Sequence, residues 1–438
     1  MADREIQKSM ASVVEQCLVA NTRGVPNEAI FERIQQIRVE FAQALLQRLV
    51  EVGAKGAEFS SLLGVVWDAM LARYSNYEDA LVNDETEYYR SLLSVLFLAL
   101  QFHVDSRAAC SETAGKKAVV STHLPQVIEV VRTVVAQGFK SLTTYLHEQP
   151  EKCQPKDFAI VTAILQTCLQ VKNVDRIFEH MAFHIEDNDA ARYACTLFSW
   201  ADQLAINGDP VYGELSISFL VKLSTLPTLA EYLAVEAVLV QLSTCRLTSI
   251  IQQQPVGLGP FSAPSRLYSI WTNGILPLCL NLVYHVTRTA PEVAAFLNQF
   301  ERQLQRTASA FAEANRPIGG RSGIVQRITL SMASEMYTLG LISFVLHRLR
   351  EAGPSAGMDS QTIQKLKWDV KQIREDMDFL LERRDLLRMM ITTTNEKEDE
   401  MARQKPTGAE VNSKTRLEER IASQMIAAVT CLEEEASA

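Results

Sequence analysis

Two histidines set four residues apart, His180 and His184 in the run HMAFH, are the first spacing in this chain that suits metal chemistry. On a helix they would share one face, as two zinc ligands do. The pattern lacks the glutamate and third ligand of a zinc-hydrolase helix, and Glu186 and Asp187 fit better as start signals for the next helix. The pair reads as surface structure, with no metal expected. A second candidate is Gly319-Gly320-Arg321-Ser322-Gly323, just ahead of a helical stretch. Amides at a helix start can hold a phosphate. Here the Lys-Ser/Thr of a phosphate loop is missing and no strand precedes the glycines, so the segment reads as an inter-helix loop. No nucleophile elbow, kinase signature or dinucleotide fingerprint occurs. The residue types point to no catalytic group and no cofactor. An enzyme built on helices is the remote alternative, because it would need a convergent polar pocket.

A site of another kind is suggested by residues 361–390. Ile363, Leu366, Val370, Ile373, Met377, Leu380 and Leu387 form a heptad-like stripe on a single predicted helix. Trp368, Phe379 and Leu386 fall on one line opposite, because 11 and 18 residues are near-whole numbers of helical turns. A helix with two apolar faces is ordinarily buried between layers. The functional reading is that the second face receives a partner's amphipathic helix in a groove, with Trp368, Phe379 and Leu386 as the partner-binding residues. The amphipathic stretch from Leu417 to Leu432 is the competing occupant.

The elements that must position such a site are all helical. No stretch shows the two-residue alternation of a strand. Apolar residues recur at helical spacing through Ile30, Ile34, Ile37, Phe41, Leu45 and Leu49, again through Phe59 to Tyr74, and almost without interruption from Tyr88 to Phe102. Helix starts recur at roughly 25–40 residues, the spacing of helix-pair repeats, without a repeated sequence signature. The predicted fold is an all-α superhelical solenoid of stacked antiparallel helix pairs, HEAT- or armadillo-like by geometry. Its expected parts are N-terminal repeats over 1–250, a Pro/Gly-rich loop over 251–264, and C-terminal repeats over 265–392. A disordered, charged linker is expected over 393–412 and a terminal amphipathic helix over 413–438, started by a Thr415…Glu418 capping box. Residues 105–118 and 315–323 read as further loops.

The 438 residues are 47% hydrophobic and 22% charged, an ordinary globular composition. A net charge of −9 argues against a nucleic-acid-binding surface, which is normally basic. The eight cysteines include no CxxC pair and most lie in apolar runs, so they read as buried free thiols in a reducing compartment. Asp3, Arg4 and Glu5 do not open a signal peptide. The longest apolar runs fall short of the about 20 residues that span a bilayer, so direct membrane insertion is not expected.

The most informative stretch is Gly257–Phe311. Tyr268, Trp271, Ile275, Leu278 and Leu282 mark one predicted helix. A corner follows at Thr289-Ala290-Pro291-Glu292, with Thr289 and Glu292 suited to a capping box and Pro291 just inside the next helix. Val293, Phe296, Leu297, Phe300, Leu304, Ala308 and Phe311 then form one unbroken stripe, with Phe296 and Phe300 expected to face Trp271. The run PSRLYSIWTNGILPLCLNLV, followed by EVAAFLNQFERQL, resembles the C-terminal tail of the large inner-ring scaffold nucleoporins. It is nearer to the nucleoporin one-eighty-eight family than to the larger paralogue. The resemblance covers roughly residues 255–311. It implies a stacked-helix fold, a chain that is part of a longer protein, and an architectural role in the nuclear pore complex at the nuclear envelope. The implied partners are other nucleoporins, above all a short helix of an inner-ring linker nucleoporin, with phenylalanine-glycine repeats and transport factors beside them. A soluble helical-repeat transport receptor or adaptor is the alternative of the same shape.

Overall fold

The computed structural model describes residues 2–23, 29–54, 59, 61–104, 123–255, 257–262, 265–312, 327–353, 363–404 and 415–437. The loops expected at 105–118 and 315–323 lie outside these residues. Among the described residues every regular element is helical, and the only β-type pairings are three isolated bridges. The all-α expectation holds. The chain divides into two compact units, Met1–Thr196 and Leu197–Ala438. The division does not fall at 251–264, because that connection is tied into the second unit by side chains described below.

The first unit opens with α1 (Ala2–Thr22) and α2 (Ala29–Glu51), packed on each other and on α3 (Leu62–Leu71) and α5 (Thr86–Gln101); the short α4 (Tyr77–Val82) lies between the last two in sequence. Next come α6 (Leu124–Val130), a π-helical segment π1 (Val131–Gln137) and α7 (Gly138–Glu148), one continuous run, then α8 (Pro155–Cys168) and α9 (Phe178–Asp187). Beyond the α1–α2 pair, α1 packs on α3, α2 and α3 pack on α5, and α5 packs on α8, so sequence neighbours and helices two or three places away both contribute. As expected, α5 is covered, burying Tyr89, Leu92, Leu93, Val95, Leu96, Ala99 and Leu100. On α2 the structure turns the first four residues of the expected stripe outward, while Leu45 is half-buried and Leu49 buried as expected. Val39, Ala42, Leu46 and Leu49 are buried, whereas Ile30, Ile34, Ile37 and Phe41 are exposed. Apolar residues occupy two faces of this helix, and periodicity alone does not say which one the core takes.

A buried ion pair joins two helices of this unit. Arg90 of α5 donates from Nε to Asp157 Oδ1 (2.5 Å) and from Nη2 to Oδ2 (3.0 Å). Asp157 is 1% exposed and also accepts the Gln154 amide at the start of α8 (2.7 Å). One carboxylate thus caps α8 and ties it to α5. Arg90→Ala should cost about 3–5 kcal/mol in a urea titration, because it leaves a buried carboxylate uncompensated.

His103 and His123 lie with ring centroids 4.5 Å apart. Burial, then the neighbouring His123, pushes the His103 imidazole down to about 4. The unfolded chain therefore binds this proton more readily than the native one. Stability from this site is present above pH 6.5, the ordinary value, and is lost as pH falls toward 4. A thermal-melt series from pH 7 to pH 4 should show that loss, and His103→Leu should make it shallower.

The second unit begins within α10 (Ala190–Trp200) and continues through α11 (Val211–Leu223), α12 (Pro227–Val235), α13 (Val238–Ser243) and α14 (Arg246–Gln252). The predicted hairpin follows. Its first arm is α15 (Ser265–Ser269), a second π-helical segment π2 (Ile270–Ile275) and α16 (Leu276–His285). Pro277 has no amide to donate into the preceding turn, which accounts for a widened turn there. A Cβ on Gly274 would lie 2.5 Å from Ile217, so glycine is what lets π2 approach α11 this closely.

The corner differs in detail from expectation. Thr289 is in the helical region (φ −80°) and its hydroxyl donates back to the Val286 carbonyl (2.8 Å), so no capping box forms with Glu292. The second arm is also broken, into α17 (Ala290–Asn298) and α18 (Glu301–Ser309), with Phe300 between them at φ −96° and ψ 39°. The break swings Phe300 against Trp271, with centroids 4.9 Å apart, while Phe296 meets Phe300 edge-on at 5.3 Å. All three rings are core, as expected.

The unit ends with α19 (Leu330–Ala352), α20 (Val370–Glu382), α21 (Arg384–Met390), α22 (Glu396–Arg403) and α23 (Arg416–Ser437). The single helix expected over 361–390 is not there. Residues 363–369 are non-helical, Asp369 caps α20 by accepting the Gln372 amide (3.2 Å), and the chain breaks again at Arg383. Part of the linker expected to be disordered is a helix, α22: the Asn395 side chain caps it by accepting the Glu398 amide (3.0 Å), the Glu398 carboxylate accepts the Thr394 amide (2.7 Å), and the helix seats on α23. Residues 405–412 lie outside the described ones. At Thr415 half of the expected box forms: the hydroxyl accepts the Glu418 amide (3.2 Å), but the Glu418 carboxylate turns to Arg388 instead. The described cysteines are free thiols, and burial pushes Cys153 and Cys168 up to about 12. Among the described residues no helix is long and apolar enough to cross a membrane.

Candidate functional site

A groove of about 850 Å³ lies in the second unit between α18 and the segment from Lys365 to Ile373. Ala308, Leu366, Trp368, Val370 and Ile373 supply its hydrocarbon. Two polar arrangements hold its walls in place.

The first wall is α18, and it is held by a buried carboxylate. Glu335 of α19 is 1% exposed. The Tyr268 phenol donates to its Oε2 (2.8 Å), and the Trp271 indole N–H to its Oε1 (2.7 Å). From α18 come Gln303 Nε2 (3.2 Å), Arg306 Nη2 to both oxygens (2.9 and 2.7 Å) and the Thr307 hydroxyl (2.6 Å). Five side chains thus satisfy one carboxylate. Burial opposes the Arg306 charge, but Glu335 and Tyr268 outweigh it and the guanidinium pKa is raised. Burial first, then the Glu335 carboxylate, pushes the Tyr268 phenol up. Gln303 reaches further, accepting the Leu258 amide (2.6 Å) and donating to the Leu258 carbonyl (2.9 Å). Gly257, at φ +75°, makes that approach possible, since a Cβ there would sit 2.8 Å from Arg306 Cβ. The Pro/Gly-rich connection is therefore a clamped loop.

The second wall is the non-helical run 363–369. Asn298, the last residue of α17, donates to the Lys365 carbonyl (2.9 Å) and accepts the Lys367 amide (2.9 Å). Arg350 donates to the Ile363 carbonyl (3.2 Å) and Lys367 Nζ reaches Glu301 (3.1 Å). These contacts hold Trp368 half-buried at the groove, with its indole Nε1 shielded from solvent and without an acceptor.

Of the three residues singled out in the sequence, the groove takes only Trp368. Phe379 and Leu386 sit half-buried at the edge of the core cluster formed by Ile373, Met377, Leu380, Leu417, Ile421, Met425 and Leu432. Arg383 lies over the Phe379 ring at 5.1 Å. The three cannot share a helical line, because Trp368 precedes α20 and Leu386 follows the break at Arg383. The stretch from Leu417 to Leu432 lies within α23, which packs against α19 and α20. His180 is exposed and His184 half-exposed on α9, and no group of three or more His, Cys, Asp or Glu that could hold a metal occurs among the described residues.

Sequence reasoning missed Glu335 and Asn298. A lone carboxylate inside the apolar run SMASEMYTLGLISF was the available signal for the first. Asn298 carried none, since its partner is backbone. Glu335→Ala should cost about 3–5 kcal/mol by chemical denaturation, because Arg306 would be left buried without its counter-charge. Pairing it with Arg306→Met should recover part of that loss if the charge pair is the dominant interaction.

Comparisons with known proteins agree with this architecture. The model of the nuclear pore protein NUP188 C-terminal domain matches residues 62–432. Nucleoporin NUP188 of Chaetomium thermophilum is 32% identical over 439 aligned residues, which cover 92% of this chain and 23% of that protein. Nucleoporin nup184 of Schizosaccharomyces pombe is 28% identical over 51% of this chain and 13% of its own length. The solved structure of Nup188 residues 1445–1827 from Myceliophthora thermophila superposes with a TM-score of 0.68 at 29% identity, covering 85% of this chain and 98% of that one. The chain spans less than a quarter of the length of these curated relatives. With a family model matched over most of its length and a helical fold shared with a solved tail domain, this chain belongs to the Nup188 C-terminal domain family.

Proposed function

We propose that this chain acts as the tail of an inner-ring scaffold nucleoporin. In this reading it serves in the nuclear pore complex at the nuclear envelope and works as an architectural part, not as an enzyme. Family membership supports the scaffold role. The groove beside Trp368 supports a docking role: it is apolar at the centre, polar at the edge, and its walls are fixed in advance by Glu335 and Asn298. Its lining sets hydrocarbon beside the exposed Lys365, Lys367 and Lys371, and so offers surface for recognition.

The occupant is a short amphipathic helix of an inner-ring linker nucleoporin, with Trp368 as the anchor. A helix laid in a groove presents side chains at i, i+3 or i+4, and i+7. Burying two or three of them would contribute about 1.5–3 kcal/mol each before ordering costs. Phe379 and Leu386 belong to this proposal only as the shoulder on which the site is built. Phenylalanine-glycine repeats and transport factors remain partners that the family suggests, with no residue assigned to them.

The test is a pull-down from nuclear-envelope extract with partners identified by mass spectrometry, followed by direct titration of the linker segment recovered. Trp368→Ala should weaken that binding by at least about tenfold with little change in melting temperature. Phe379→Ala with Leu386→Ala should lower the melting temperature instead. Unchanged binding by a folded Trp368→Ala variant would remove the site.

A further inference from the structure

We propose that the Trp368 groove selects a helix flanked by acidic residues, an inference that rests on the docking role given above. The charged residues along the groove are not equivalent. Lys365, Lys367 and Lys371 are exposed. The carboxylates of the lining are withdrawn or occupied. Asp376 is 5% exposed and accepts from Gln372 Nε2 (3.1 Å). Glu435 is 7% exposed and accepts the Ser343 hydroxyl (2.5 Å). Asp369 is exposed, but its Oδ1 caps the start of α20. Lys367 is engaged by Glu301. The amines that an incoming chain meets at the rim are therefore Lys365 and Lys371, on a protein whose net charge is −9. A basic edge around an apolar slot, set in an acidic molecule, attracts a segment of opposite charge and turns away basic ones.

The occupant thus needs an apolar face for Leu366, Trp368, Val370 and Ile373, and acidic side chains that reach Lys365 and Lys371.

The probes are two synthetic helical peptides with the same leucine and phenylalanine face, one flanked by glutamates and the other by lysines. Each is titrated by fluorescence anisotropy against the full chain. The glutamate peptide should bind about tenfold tighter at about 50 mM salt, and the preference should shrink at about 300 mM as screening shortens the reach of the rim charges. Lys365→Glu with Lys371→Glu should reverse the preference without lowering the melting temperature. Trp368→Ala, which removes the ring from the groove, should weaken both peptides. Equal binding of the two peptides, or indifference to the lysine reversal, would overturn the charge selection while leaving the groove as a docking site. Loss of both peptides' binding to the unmodified chain would remove the docking role and this inference together. Displacement by a single-stranded oligonucleotide as readily as by the glutamate peptide would also overturn it, since the rim would then be reading any polyanion.

Discussion

The second unit depends on one buried carboxylate. Glu335 lies where an apolar core would be simplest, and an isolated charge there is strongly disfavoured. It persists because five donors converge on it and because Arg306 supplies the opposite charge. Such a pair is not a general source of stability compared with a well-packed apolar core. What it provides is register. Tyr268 and Trp271 on the first arm, three residues of α18 and the centre of α19 must all be in place at once to satisfy it. A helix slipped by one residue would leave several buried groups unpaired, so the network penalises misregister far more than hydrocarbon packing does.

This constraint reaches the surface through α18. One face of that helix, with Gln303, Arg306 and Thr307, is committed to Glu335. The other, with Gln305, Ala308 and Ser309, forms a wall of the groove. Gln303 also locks the loop at Leu258, so a segment rich in glycine and proline becomes a fixed part of the unit. Asn298 does for the opposite wall what Glu335 does for α18, using backbone contacts in place of charge. In the proposed docking role, walls held in this way would lower the ordering cost of binding. The architecture suits a scaffold: rigid walls set by polar contacts that are hidden, with an apolar slot left at the surface.

The π-helical segment π2 and the break at Phe300 belong to the same logic. Helical repeats stack through side chains at a period near 3.6 residues, and aromatic residues as large as Trp271 and Phe300 do not always meet at that period. Widening one arm and breaking the other brings their rings to within 4.9 Å. Local irregularity here serves tertiary fit.

What the sequence determined by itself was the class of structure and most of the core. Helical periodicity without strand alternation is a local property of the chain, and it was enough to predict an all-α array and the aromatic cluster of Trp271, Phe296 and Phe300. The stretch that resembled a nucleoporin tail was legible for the same reason, since its packing residues lie close together in sequence. Tertiary structure decided everything that depended on competition between faces. The Ile30, Ile34, Ile37 and Phe41 stripe is as periodic as the buried Val39, Ala42, Leu46 and Leu49, and only the neighbours of α2 chose between them. Trp368, Phe379 and Leu386 align on an ideal helix, but Asp369 starts a new helix and Asn298 captures the residues before it, so the line does not exist. Hydrogen bonds between residues 64 to 69 positions apart, such as Trp271 to Glu335 and Asn298 to Lys367, leave no periodic mark in the chain. They arise only once the fold has brought those residues into contact, and they are what positions the groove.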